Sequence, residues 1–179
     1  MRLKKTVARL FERERVCRVA TAGLRGMPHL VPVCQVVADG KIYFASGNDG
    51  RKALNLTANP RVAVTIDLYS DDWTLIKGVM VQGRARLYAK GPRFRKIRAL
   101  LYRKYPQYPH EAALDESDSV IVEVTPTRIF TWGIDGVVVR SRGRSTPEAS
   151  LSRSRSTPRR RRGSGRPVWP GRAPGRRRG

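Results

Sequence analysis

Apolar residues recur along this chain with two periods, and the period changes where Gly, Pro, Asn and Asp cluster. Leu3, Val7, Leu10 and Phe11 fall at i, i+4, i+7 and i+8, one apolar stripe on a helix predicted over 3–14 whose other face is Lys, Arg and Glu. Residues 15–21, 29–37, 41–45, 61–68, 75–88 and 119–132 read as strands, with Val62, Val64, Ile66 and Leu68 the clearest alternation. Gly23 to Gly26 and Asp39-Gly40 separate adjacent runs at hairpin spacing, so the first three strands form an antiparallel meander. Strands this short suggest a barrel or a sandwich. Over 30–37 both alternating sets are apolar apart from Gln35, which predicts a wall covered on both sides, by a helix or a second subunit.

Two further helices interrupt the strands. One runs over 51–58 and stops at Asn59-Pro60. The other runs over 92–104: Pro92 suits the first helical position, Phe94, Ile97 and Leu101 make its stripe, and the Pro106 to Pro109 segment ends it.

Charge divides the chain in two. Residues 140–179 hold fourteen Arg and one acid, a net of +13, whereas residues 1–139 hold 23 basic and 13 acidic residues, a net of +10. The basic segment offers Leu151, Val168 and Trp169 as its large apolar residues, too few to offset the entropy of ordering it, so a disordered tail is expected after one globular domain over 1–139. No run reaches the roughly 18 apolar residues of a spanning helix, and Met1-Arg-Leu-Lys-Lys5 leads into charge instead of a signal core, so a cytoplasmic protein is expected. Cys17 and Cys34 lie in apolar stretches and read as buried free thiols; without a histidine cluster they cannot complete a structural zinc shell.

The most informative segment is Phe44-Ala-Ser-Gly-Asn-Asp-Gly-Arg-Lys-Ala-Leu54, where a strand enters a Gly-rich loop and a helix opens on Arg51 and Lys52. Cations in a first turn oppose the helix dipole unless an anion sits there. Free N–H groups, two glycines and two cations fit a phosphate, while cations simply extended into solvent are the plainer reading. Trp73 and Trp132 read as core or interface packing, His29 as a residue at a strand entrance, His110 as a surface residue, and Arg84, Arg86 and Arg128 as solvated faces.

Taken in order, Val19-Ala-Thr-Ala-Gly, Gly26-Met-Pro-His-Leu-Val-Pro-Val, Arg51-Lys52, Ala58-Asn-Pro-Arg-Val-Ala-Val, Asp71-Asp-Trp73, Val81-Gln-Gly-Arg-Ala and Thr125-Pro-Thr-Arg-Ile-Phe-Thr-Trp132 resemble the pyridoxamine 5′-phosphate oxidase-like split-barrel superfamily, and within it the deazaflavin-dependent branch. The resemblance covers about residues 5–135. It implies a mainly β protein, a six-stranded antiparallel split β-barrel with short flanking helices, assembled as a homodimer with a cofactor in each interface groove. It also implies that Arg51 and Lys52 hold the cofactor phosphate. His29, Leu30, Val31, Pro32 and Val33 on the second strand, with Ala45 and Ser46 at the end of the third, would line the same groove. Gln82 would approach the ring system and Trp132 would close the site.

The departures refine this expectation. Trp132 is followed by Gly133-Ile-Asp-Gly, not by the Arg-Leu-His-x-Arg run with which the oxidases grip substrate, which argues against vitamin B6 oxidation. The second strand also lacks the Arg and Lys that the oxidases use for flavin mononucleotide. The resemblance to the deazaflavin-dependent branch implies coenzyme F-420 as the cofactor, with flavin mononucleotide as the alternative, in an oxidoreductase passing a hydride to a small organic acceptor. No Ser-His-Asp or paired-carboxylate set is present, which suits chemistry carried by a cofactor and leaves no catalytic side chain assigned. A flavin- or haem-binding module without turnover is a rival reading. For the tail, Arg159 to Arg162 and Arg176 to Arg178 could bind nucleic acid nonspecifically through phosphate neutralisation, and a read-through extension is the competing account.

Overall fold

The computed structural model describes residues 1–134. The expected division at 139/140, the disordered tail and its nucleic-acid contacts lie outside or at the limit of that range. Within it the chain runs α1 (Lys5–Arg13), β1 (Val16–Ala22), β2 (Pro28–Ala38), β3 (Lys41–Gly47), α2 (Arg51–Ala58), β4 (Arg61–Leu68), a 3-10 turn (Trp73–Leu75), β5 (Lys77–Tyr88), α3 (Pro92–Lys104), α4 (Tyr108–Glu111) and β6 (Ser119–Trp132). The six strands close into a barrel in the order β1-β2-β3-β6-β5-β4, every neighbouring pair antiparallel.

The turn chemistry read from the sequence explains the meander. Asp39 and Gly40 both adopt positive φ, 53° and 73°, between the paired residues Ala38 and Lys41, the backbone twist that joins adjacent strands in two residues. Elsewhere the expected elements move by a residue or two. The opening helix begins at Lys5, not at residue 3, although Leu3 is buried and donates its N–H to the Gly40 carbonyl (2.9 Å). The start of the expected strand 75–88 is instead taken up by the 3-10 turn, which Asp72 caps by accepting from the Thr74 N–H. The short helix α4 was not expected.

Alternation sorts the side chains into an inner and an outer set. Cys17, Val19, Val62, Val64, Ile66, Val79, Val81, Val122 and Val124 fill the barrel together with Leu3, Val7, Leu10 and Phe11 of α1 and Ala53 and Leu56 of α2. A second cluster lies outside the wall, where Phe94, Ile97 and Leu101 of α3 pack on Val36, Tyr43 and Ile121. Thus α3 covers the second half of β2. The first half has no cover among the described residues: Pro32 is exposed and Leu30 is 62% exposed, so within one chain only the second half of the strand is covered on both faces.

Among the described residues the buried polar side chains are matched except at two atoms, the Gln35 Oε1 and the Thr131 Oγ1. Gln35 is fully buried, and its Nε2 donates to the Phe11 (2.5 Å) and Glu14 (3.0 Å) carbonyls left open at the end of α1. Lys104 donates to the same two carbonyls at 2.7 and 2.9 Å, a cation at the negative end of the helix dipole, even though burial lowers its pKa. The Tyr105 hydroxyl accepts from the Gln35 N–H (2.9 Å) and shares its proton between the Arg15 (2.6 Å) and Gln35 (2.7 Å) carbonyls. Buried Glu123 accepts from Lys41 (2.6 Å) and from the Tyr43 hydroxyl (2.8 Å); burial would raise its pKa, but those bonds outweigh it and hold the carboxyl below its ordinary value. Cys17 is buried and Cys34 half-buried, both free, and burial pushes the Cys17 thiol up to about 12, an unreactive state.

Tyr105→Phe therefore deletes one hydroxyl and leaves the Gln35 N–H without its partner in the interior. The expected loss is about 1–3 kcal/mol of stability, read as a lowered urea midpoint with unchanged m-value.

Candidate functional site

The helix α2 starts without any side-chain cap and without an acid in its first turn; its N-cap is Gly50. Gly50 is required by space, since a Cβ there would meet the Ser46 Oγ at 3.0 Å and the Gly47 carbonyl oxygen at 3.1 Å. The chain thus brings a bare helix N-terminus, the exposed Arg51 and the half-buried Lys52 to one place. Neither cation has a carboxylate within 4.0 Å among the described residues. Burial lowers the pKa of Lys52, the signature of an ammonium that has lost water and gained no counter-charge. These residues fit a phosphate: the open N–H groups, the dipole and two cations all favour an anion there.

Arg51 lines a pocket of about 520 Å³ with His29, Asn55 and the β1–β2 hairpin, Gly23 to Pro28. Asn55 is buried and donates to the Thr21 Oγ1 (3.1 Å), and Asn59 donates to the Ala22 carbonyl (3.0 Å), so α2 is fastened to the end of β1 at its middle and at its C-cap. A second groove of about 570 Å³ adjoins the first at Pro28 and runs over the outer face of β1, β4 and β5. A transverse row crosses it in which each residue directly opposes the next across five strands, Leu30, Ala20, Ala63, Gln82 and Arg128, and the middle three line the groove. Both volumes lie in the range of small-molecule sites.

The residues expected at the site are not all gathered within one chain. His29 and Arg51 share the first pocket, and Gln82 lines the second. Leu30 and Pro32 face outward on the uncovered part of β2, whereas Val31 and Val33 oppose the barrel residues Val19 and Cys17 and point inward. Ser46 is buried behind Gly50, and Ala45 packs against the α3 cluster. Trp132 lies over Gly78, where a Cβ would fall 2.3 Å from its ring, four residues and about 13 Å along β5 from Gln82. It remains 39% exposed, and Trp73 is 77% exposed, so neither tryptophan is core; Trp73 sits on the β4–β5 connection, where no inward face exists.

Sequence reading passed over Asn55, Asn59, Gly83 and Arg61. Asn59-Pro60 signalled only the end of a helix. Gly83 lies at a register shift between β5 and β6, where a Cβ would approach the Thr125 carbonyl oxygen to 2.6 Å, and nothing in the local sequence marks that contact.

A family model described as pyridoxamine 5′-phosphate oxidase matches residues 3–133. The chain is 33% identical over 124 residues to a 5a,11a-dehydrotetracycline/5a,11a-dehydrooxytetracycline reductase of Streptomyces rimosus, an overlap of 66% of this chain and 75% of that protein. Among solved structures it resembles an F-420 reductase (TM-score 0.57, 22% identity, 72% of this chain and 98% of that one). It also resembles the haem storage protein HutZ of Vibrio cholerae (TM-score 0.61, 16% identity, 73% and 94%). At these identities the two structures establish the shared fold.

If Arg51 and Lys52 serve a ligand and not the barrel, replacing both with Ala removes an unfavourable dipole contact and leaves the core intact. The expected ligand-free protein melts at the same temperature or slightly higher, and a drop of several degrees would assign the pair to the fold.

Proposed function

The chain belongs to the pyridoxamine 5′-phosphate oxidase family, and from that premise we propose that it is an oxidoreductase that uses coenzyme F-420 to reduce a small unsaturated organic acceptor. The observation that carries this reading is the uncapped N-terminus of α2, with Lys52 desolvated beside it and no acid to pair with. The reductase relative from Streptomyces rimosus supports the class of reaction.

When bound, the reduced deazaflavin supplies the hydride, and a proton completes reduction of the acceptor. The chain's part is binding, orientation and exclusion of water. Arg51, Lys52 and the first N–H groups of α2 would hold the phosphate. Pro28, which the two pockets share, would meet the edge of the flat ring, with Gln82 supplying a polar contact from β5. His29, half-buried in the pocket that Arg51 lines, would hydrogen-bond the same ligand. Flavin mononucleotide is the second reading, because its phosphate would suit the same cations and the matching family is that of an oxidase.

A second copy of the chain is proposed to complete the site. The exposed Pro28, Leu30 and Pro32 form an apolar strip on the part of β2 that α3 does not reach. Sedimentation at micromolar concentration should give a homodimer, and replacing Leu30 with Glu should shift it to monomer.

Hydrogen bonds between charged groups contribute about 1.5–3 kcal/mol each, so Arg51→Ala with Lys52→Ala should weaken F-420 binding at least about tenfold in a fluorescence titration. Unchanged affinity would reject the phosphate site. The pH dependence has a definite sign. The anion binds protonated Lys52, whose pKa lies below the ordinary 10.5, so affinity should fall as alkaline pH passes through that lowered value. Lys52→Arg, charged throughout, should flatten the fall.

A further inference from the structure

The outer face that carries the 570 Å³ groove is crowded with cations, and they differ in what they touch. Arg18 pairs with Asp67, and Arg86 lies over the Tyr88 ring, its guanidinium carbon 5.3 Å from the centroid. Arg61, Arg84 and Arg128 have no carboxylate within 4.0 Å among the described residues and no aromatic ring beneath them. Arg61 and Arg84 directly oppose each other across β4 and β5, so both project from the same face at the same level. Like charges opposed in this way destabilise a sheet. Arg128 directly opposes Gln82, which lines the groove, and so projects from the same face just beyond its edge. Between them the floor is Ala20, Ala22, Ala63 and Gly83, side chains too small to fill the space above.

We propose that Arg61, Arg84 and Arg128 form a second anion site, separate from Arg51 and Lys52, which takes the carboxylate or enolate of a flat, apolar-bodied acceptor. The guanidinium fork matches a planar oxyanion, and the alanine floor matches a flat ring. An anion there would also relieve the Arg61–Arg84 repulsion. Arg51 lines the first pocket, Arg61 and Arg84 line the second with Gln82, and the two pockets meet at Pro28. A cofactor phosphate at the first and an acceptor anion at the second would leave the two ring systems next to each other. The assignment of this anion to the acceptor rests on the oxidoreductase reading above; the anion site itself does not.

The test uses the full-length chain with 2-naphthoate as probe, 2-naphthamide as its uncharged counterpart and calorimetric titration as readout. Arg84→Gln with Arg128→Gln should weaken 2-naphthoate binding at least about tenfold and leave 2-naphthamide binding unchanged. Lys96→Gln with Arg103→Gln, two exposed cations on α3, controls for the loss of two charges and should have no effect. Arg84→Gln alone should melt at the same or a higher temperature without ligand, which a structural arginine would not do. F-420 affinity should stay within about twofold in these variants, whereas the Arg51 and Lys52 variants should lose F-420 and keep 2-naphthoate. Unchanged 2-naphthoate binding in the double variant overturns the site. A loss of F-420 binding as large as that of the Arg51 and Lys52 variants overturns its assignment to the acceptor. A chain that binds 2-naphthoate through these arginines but neither F-420 nor flavin mononucleotide upholds the anion site and refutes the oxidoreductase reading alone.

Discussion

Closure of the sheet through β6 is the constraint on which the other features depend. Its first half pairs with β3, from Ser119 opposite Gly47 to Val124 opposite Ile42, and the strand pairs with β5 along nearly its whole length. A strand shared in this way leaves no free edge between the two halves of the chain and fixes which residues of six strands face inward. The glycines of β5 make the pairing possible. Gly83 allows the ladder to shift register against the Thr125 backbone, and Gly78 leaves room for the Trp132 ring.

Once the barrel is closed, its outer surface divides into unlike halves. The helix α3 covers one of them and is tied down by a polar junction, in which Gln35, Lys104 and Tyr105 satisfy carbonyls around the end of α1. Each of those groups is buried or half-buried, and in a low-dielectric setting an unmatched partner would be costly. The other half carries the two pockets and the unpaired cations Arg51, Arg61 and Arg84, and no described residue lies over it. The same closure that removes the sheet edges therefore separates a half committed to stability from a half free to bind.

Helix α2 connects the halves. Its apolar residues enter the barrel, its two asparagines hold the end of β1, and its N-terminus opens on the pocket. Lys52 sits at the boundary, desolvated by the fold and paired by none of its described neighbours. A position of this kind costs stability in the free protein and returns it when an anion arrives.

The elements themselves were determined by the sequence alone, because period and punctuation are local. The alternation of Val62, Val64, Ile66 and Leu68 gave β4 to the residue, Pro92 and the Pro106 segment bounded α3, and Asp39-Gly40 marked a hairpin that needs positive φ at both positions. The order of short motifs gave the family and the barrel, and the conflict between Arg51, Lys52 and a helix dipole marked the candidate phosphate site. Tertiary structure alone decided which side chains meet. Gln35 reads as a lone polar residue in an apolar strand until α1 and α3 converge on it. Arg61 and Arg84 are 23 positions apart in the chain, and only the β4–β5 register makes them neighbours. Half of β2 is left open because α3 reaches Val36 but not Leu30. Pairing register and helix docking are set by contacts far apart in sequence, and a local pattern carries no record of them.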